Sequence, residues 1–280
     1  MCRKWLLLVL VFVGVALCPG ISRADGDRAA LAKQAERMCI KKQFAEAEQV
    51  YVGLLEGAAD AEERFGIVRK LAAVLVAQED KQVLAKATVE GILSDYADHA
   101  RLPHAIHEIA ESCHTYGKAK KATEIYAEIL GEQPGRADEI WLVMGQAIAD
   151  TFAGDEDGAW ANIEKLLNDY QDDNRAAEAV GQVAWCYRKM KDWENARTLY
   201  QHVVDNWPDN ERAIYSQRGI ILASIQLGDS HTAHAACRMP GIAEGVFTAS
   251  GCSEARVRSR GHISQNEGLC AGTRALQDDC

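Results

Sequence analysis

Apolar positions along this chain recur at helical spacing, and the helical blocks themselves recur. Ala47, Ala85, Ala122, Ala159 and Ala196 stand 38, 37, 37 and 37 residues apart. Twelve residues before each is another alanine: Ala35, Ala73, Ala110, Ala147 and Ala184. Four residues after each comes Tyr51, Val89, Tyr126, Ile163 or Tyr200, and seven after comes Leu54, Ile92, Ile129, Leu166 or Val203. Offsets 0, 4 and 7 fall on one stripe of an α-helix. The alanine at −12 falls on an earlier helix, across a short turn such as Tyr116-Gly117-Lys118 or Ala153-Gly154-Asp155. The pattern predicts an all-α fold of five units, each two antiparallel helices. Small residues at −12 and 0 let the paired helices approach closely, and the larger side chains fill the layer beside them. One such hairpin cannot bury its apolar face alone, whereas a stack of five forms a continuous core. Tyr51, Tyr126 and Tyr200 are read as core packing within that stack.

The clearest unit is Ala184-x-x-Tyr187, Trp193-x-x-Ala196-x-x-x-Tyr200, then Pro208; a second is Ala110, Gly117, Ala122-x-x-x-Tyr126, then Pro134. Over about residues 28 to 230 the pattern resembles the tetratricopeptide repeat family, in a variant longer than the usual 34 residues. Turns at Asp95-Tyr96-Ala97-Asp98, Asp169-Tyr170-Gln171-Asp172 and Asn206-Trp207-Pro208-Asp209 are similar to those of exported bacterial cell-envelope proteins, of the outer-membrane barrel-assembly and Tol-Pal kinds. The resemblance implies a right-handed superhelical solenoid that binds protein partners. Gln82 in repeat two and Glu156 in repeat four replace the large residue expected before the second-helix alanine, so looser packing is expected there.

The two ends read differently. Residues 1–24 have a basic start (Arg3, Lys4), an apolar run from Leu6 to Leu17, and small residues ending at Ala24. This is the layout of a secretory signal cleaved after Ala24, with an uncleaved anchor as the alternative. Leu17 occupies the place where a lipobox has a small residue, so lipid anchoring at Cys18 is not expected. After Ile214 to Leu227, which reads as a closing helix, the register reaches Ala233 and then fails at Cys237 and Pro240. The chain thus divides into a signal (1–24), a solenoid (25–230) and an irregular Cys- and Arg-containing tail (231–280). In the tail only seven of 50 residues are Leu, Ile, Val or Phe, too few for an ordinary packed core. Disulfides in that tail and a shifted reading frame both remain open readings of it.

Composition narrows the function. Hydrophobic residues make up 48% and charged residues 26%, as in folded soluble proteins. Losing the signal takes three positive charges from a net −10, leaving −13, which argues against nucleic-acid binding. It also takes two of nine cysteines. Cys39, Cys113 and Cys186 lie more than 70 residues apart within predicted helices, where buried inert thiols are expected. No Gly-x-Ser-x-Gly, Walker loop, Gly-x-Gly-x-x-Gly or His-Glu-x-x-His occurs, so no enzyme and no cofactor is expected. The Asp155-Glu156-Asp157 run reads as an acidic start to the next helix.

In the resembled family the first helices line a concave groove. The corresponding residues in repeats four to six include Trp141, Met144, Phe152, Trp185, Arg188, Lys189, Tyr215 and Arg218. Aromatics there offer contact area and the cations a hold on carboxylates, fitting a peptide or partner helix. The competing expectation is a metal or small ligand on His104, His107, Glu111 and His114 of repeat three. Their offsets place all four within about 80° on one helix face, but the outer pair is about 15 Å apart along the axis, too far for one ion. An envelope protein would work close to a membrane, and self-association through the last repeat is a further expectation because that repeat lacks a polar cap.

Overall fold

The computed structural model describes residues 25–229 and His231; the signal, Ala233 and the tail cysteines lie outside that range. Among the described residues the elements are eleven α-helices: α1 Asp25–Ile40, α2 Phe44–Glu56, α3 Ala61–Val76, α4 Gln82–Asp95, α5 Leu102–Thr115, α6 Ala119–Glu132, α7 Glu139–Ala153, α8 Glu156–Asn168, α9 Ala176–Lys189, α10 Trp193–Asn206 and α11 Glu211–Gln226. They pair in sequence into five hairpins, and α11 follows as the closing helix. A single 3-10 turn, Glu79–Lys81, leads into α4. The chain divides into two compact units, one ending at Gln182 and the other beginning at Val183.

In the first unit, α3 packs on α5 and α5 on α7, while α4 packs on α6. First helices therefore line up on one side and second helices on the other. The repeat explains the core directly. All ten alanines of the pattern are buried, as are the residues four and seven places after each second-helix alanine. Tyr51 and Tyr126 are fully enclosed, and the Tyr126 hydroxyl donates to the Ile106 carbonyl at 3.0 Å. That bond satisfies the polar tip that an aromatic brings into a core. In the second unit α10 packs on α11, and Tyr200 is again buried.

Turn chemistry repeats with the helices. Lys42, Gly117, Gly154, Lys191 and Gly228 all hold φ between 62° and 76°. This left-handed residue ends the first helix, where glycine is favoured. Asp60 and Asp155 cap α3 and α8 through Glu63 N–H (2.8 Å) and Gly158 N–H (3.0 Å). Asp192 and Asn210 do the same for α10 and α11. The acidic run at 155–157 thus starts α8, as expected.

Repeat two closes its turn differently. The Gln82 amide donates to the carbonyls of Gln78 (2.6 Å) and Val76 (3.2 Å). A polar side chain stands where an apolar one was expected because it satisfies carbonyls at the end of α3, which an apolar residue would leave open. Cys39, Cys113 and Cys186 are buried, as the helical reading required.

Candidate functional site

The first-helix residues singled out from sequence fall in both units. In the first unit they lie on α5 and α7. α7 is buried around nearly its whole circumference because α5, α6 and α8 all pack against it. Met144 therefore has no exposed surface and packs in the core rather than facing a partner. Trp141 and Phe152 keep 7% and 9% exposure. The remaining face of Phe152 is covered by the exposed His114 ring, at 4.4 Å between centroids and 16° between planes. Little apolar surface is left there for a partner.

The repeat-three histidines separate. His107 is fully buried, and its Nε2 is 3.9 Å from a Glu111 oxygen. His104 stands 6.3 Å from His107, ring to ring, and pairs with Glu108 at 3.3 Å. His114 belongs to the Phe152 stack. The expected single polar face is thus corrected: the helix turns His107 into the core, because α5 buries it between neighbours. Among the described residues, no group of three or more His, Cys, Asp or Glu is placed to hold a metal ion. Arg69 of α3 forms an ion pair with Glu108, so cations and carboxylates on this face largely satisfy one another. Lys70 with Glu36, and Arg101 with Glu62, do likewise.

The second unit is arranged otherwise. On α9 the half-buried Trp185 is flanked by Lys189, with Nζ 4.2 Å from the ring centroid, and by Arg188 at 5.9 Å. On α11, Tyr215 is 47% exposed and lies between two guanidiniums, Arg212 at 5.4 Å and Arg218 at 5.7 Å. Each cation lies three or four residues from its aromatic, the spacing that stacks side chains on one helix face. A cation over a ring face is held by the ring's quadrupole. Sequence reading found Tyr215 and Arg218 but missed Arg212, whose i−3 position from Tyr215 carried the signal.

The tetratricopeptide repeat family profile matches residues 182–210, which span most of the fifth hairpin. No curated protein matches the chain significantly. Among solved structures, it is similar to a tetratricopeptide repeat protein from Parabacteroides merdae ATCC 43184. The two are 14% identical over 82% of this chain and 84% of that one, with a TM-score of 0.37. BtubC (BKLC) from P. vanneervenii is 13% identical over 86% and 95%, with a TM-score of 0.39. The TPR2AB-domain:pHSP90-complex of yeast Sti1 is 18% identical over 84% and 81%, with a TM-score of 0.28. The fifth hairpin is therefore a tetratricopeptide repeat, and the other four follow its register.

Proposed function

We propose that this chain is a non-enzymatic protein-binding scaffold of the cell envelope, exported through the signal at 1–24 and carrying a partner peptide or helix on its first-helix faces. The observation that carries the reading is the exposed Tyr215 ring with Arg218 beside it, together with Arg188 beside Trp185, which present aromatic surface and positive charge on an acidic chain. Rigid aromatic side chains give large contact areas at small entropic cost, and neighbouring cations set orientation. The envelope location rests on the basic, apolar and small-residue order of 1–24 and on the turn resemblance.

The test is crosslinking in the native cell followed by mass spectrometry, with Trp185→Ala and Tyr215→Ala compared with the unaltered chain. A partner whose crosslinks fall on α9 and α11 and weaken by about tenfold in the variants is the expected result. Capture unchanged in both variants, or no reproducible partner, refutes it. Localisation is read separately by fractionation and by the N-terminus of the mature chain.

A further inference from the structure

The turns inside hairpins one, two and three meet along one edge of the first unit. The Phe44 ring, at the start of α2, lies 5.4 Å from the ring of Tyr116, just after α5. Lys118 Nζ reaches Glu79 at 3.1 Å, and Lys81 Nζ reaches Glu48 of α2 at 3.2 Å. Segments 40–44, 77–83 and 115–121 are thereby tied together. They carry six lysines, Lys41, Lys42, Lys81, Lys118, Lys120 and Lys121, against two carboxylates, Glu79 and Asp80, on a chain of net charge −10. Lys41, Lys42 and Lys120 are exposed, and among the described residues no carboxylate pairs with them. The same edge holds the two most exposed large apolar residues of the described chain, Val83 at 86% and Ile40 at 71%. Val83 and Lys120 share one repeat position, two residues before Ala85 and Ala122. Their helices, α4 and α6, pack side by side, about 9 Å apart. In the next turn Asp155, Glu156 and Asp157 reverse the sign, so the feature belongs to three hairpins only.

We propose that this edge docks the protein on an anionic lipid surface, with Val83 and Ile40 entering the headgroup layer and Lys41, Lys42 and Lys120 lying against lipid phosphates. The proposal uses no residue of the protein-binding reading above and stands or falls separately from it. Aliphatic side chains that project singly from turns suit shallow entry into a fluid interface, where adhesion grows with apolar area and with charge. Lysine stems lie along apolar material while the ammonium stays among the headgroups. All six cations of the edge are lysines, which are depleted at protein–protein interfaces and lack the planar fork that fits a fixed carboxylate. The partly buried ion pairs elsewhere in the unit use that fork instead, at Arg28 with Glu63 and Arg69 with Glu108. An array of mobile phosphates asks for charge rather than fixed geometry, and each lysine near the surface strengthens adhesion about fivefold.

The experiment is cosedimentation of the chain, in the form that cells process it to, with sucrose-loaded vesicles. One set is phosphatidylcholine alone; the other contains about one-third phosphatidylglycerol. The expected result is at least about tenfold stronger partitioning onto the phosphatidylglycerol vesicles, lost in about 0.5 M salt. Lys41→Gln, Lys42→Gln and Lys120→Gln together should remove most of that preference. Ile40→Ser with Val83→Ser should weaken partitioning by about tenfold at unchanged charge. Val83→Trp should strengthen it, with tryptophan emission shifting to the blue when vesicles are added. All these positions are exposed, so circular dichroism should show unchanged helical content. Equal partitioning onto the two vesicle types, resistance to salt, or unaltered partitioning in the triple lysine variant or the double serine variant overturns the proposal. So does the absence of partitioning onto either vesicle type together with an acidic protein crosslinked in cells to residues 40–44 and 115–121, which assigns the edge to a protein partner. Trp185→Ala with Tyr215→Ala should leave partitioning intact whatever it does to partner capture; loss of partitioning there places the lipid contact elsewhere and sinks this proposal without touching the scaffold reading.

Discussion

Gly145 of α7 faces the ring of Tyr126 on α6, close enough that a Cβ at 145 would stand 3.1 Å from Tyr126 Cζ and 2.6 Å from Ile106 Cγ2. The same relationship recurs 74 residues later, where a Cβ at Gly219 would overlap the Tyr200 ring. Where the preceding second helix carries Val89 or Ile163 in place of tyrosine, the equivalent first-helix residue is Glu108 or Gln182. The first hairpin departs from the rule, with Leu71 following Tyr51, and there the spacing is 38. Gly145→Ala and Gly219→Ala should each destabilise by about 1–3 kcal/mol through overpacking. Urea melts of Gly219→Ala, Tyr200→Val and the double variant check this. The double variant should lose clearly less than the two single losses together; simple additivity would show that the ring and the glycine are not coupled.

The positive φ of Lys42 (62°) and Lys191 (63°) is strained for residues with a Cβ, while Gly117, Gly154 and Gly228 do the same work without strain. Lys191→Gly should therefore stabilise by about 0.5–1 kcal/mol, since relief of strain outweighs the extra freedom of the unfolded chain. Gly154→Ala should cost a similar amount. Thermal denaturation of both variants reads the two signs, and a loss with Lys191→Gly would contradict the assignment.

Two carboxylates of α7 titrate in opposite directions. Burial raises Asp150 above its ordinary 3.8, with the charge of Asp155 adding to it and the hydrogen bond from the Asn162 amide opposing it. The folded protein then holds this proton more tightly than the unfolded chain. Its stability contribution is greatest below 3.8 and is lost as pH rises through the folded value. Asp150→Asn should stabilise at neutral pH, and the gain should vanish in acid.

For Glu139, burial also acts upward, but Lys165 at 2.6 Å, the Gly135 N–H at 2.6 Å and Tyr170 outweigh it and hold the carboxyl below its ordinary 4.5. That contribution is present above 4.5 and lost as pH falls through the folded value. Glu139→Gln should cost about 1–2 kcal/mol at neutral pH. The cost should shrink in acid. Urea melts at about pH 7 and about pH 3 distinguish the two variants.

The hairpins were legible because the ten alanines and their companions at 4 and 7 report a pairing that recurs almost without change. The turns were legible at Gly117 and Gly154 for the same reason. Gln82 was legible as a departure, but its role in bonding two carbonyls depends on where the end of α3 lies. Helical periodicity placed Met144 and His107 on the first-helix face, yet both are buried, because exposure is set by how many neighbours surround α5 and α7. A stripe gives direction along one helix and says nothing of what stands opposite. Arg188 and Arg218 were visible as cations; that no carboxylate among the described residues pairs with them required coordinates.

The buried cysteines have a use in the laboratory. Burial pushes the Cys113 thiol up to about 12 and raises that of Cys39 as well, so neither forms appreciable thiolate at ordinary pH. Thiolate is the species that alkylating reagents capture. The first and third hairpins thus each carry a native chemical timer, silent while the hairpin is closed, and Cys186 marks the fifth. Peptide-resolved alkylation during gentle denaturation would reveal the order in which the hairpins open, with no label engineered into the chain.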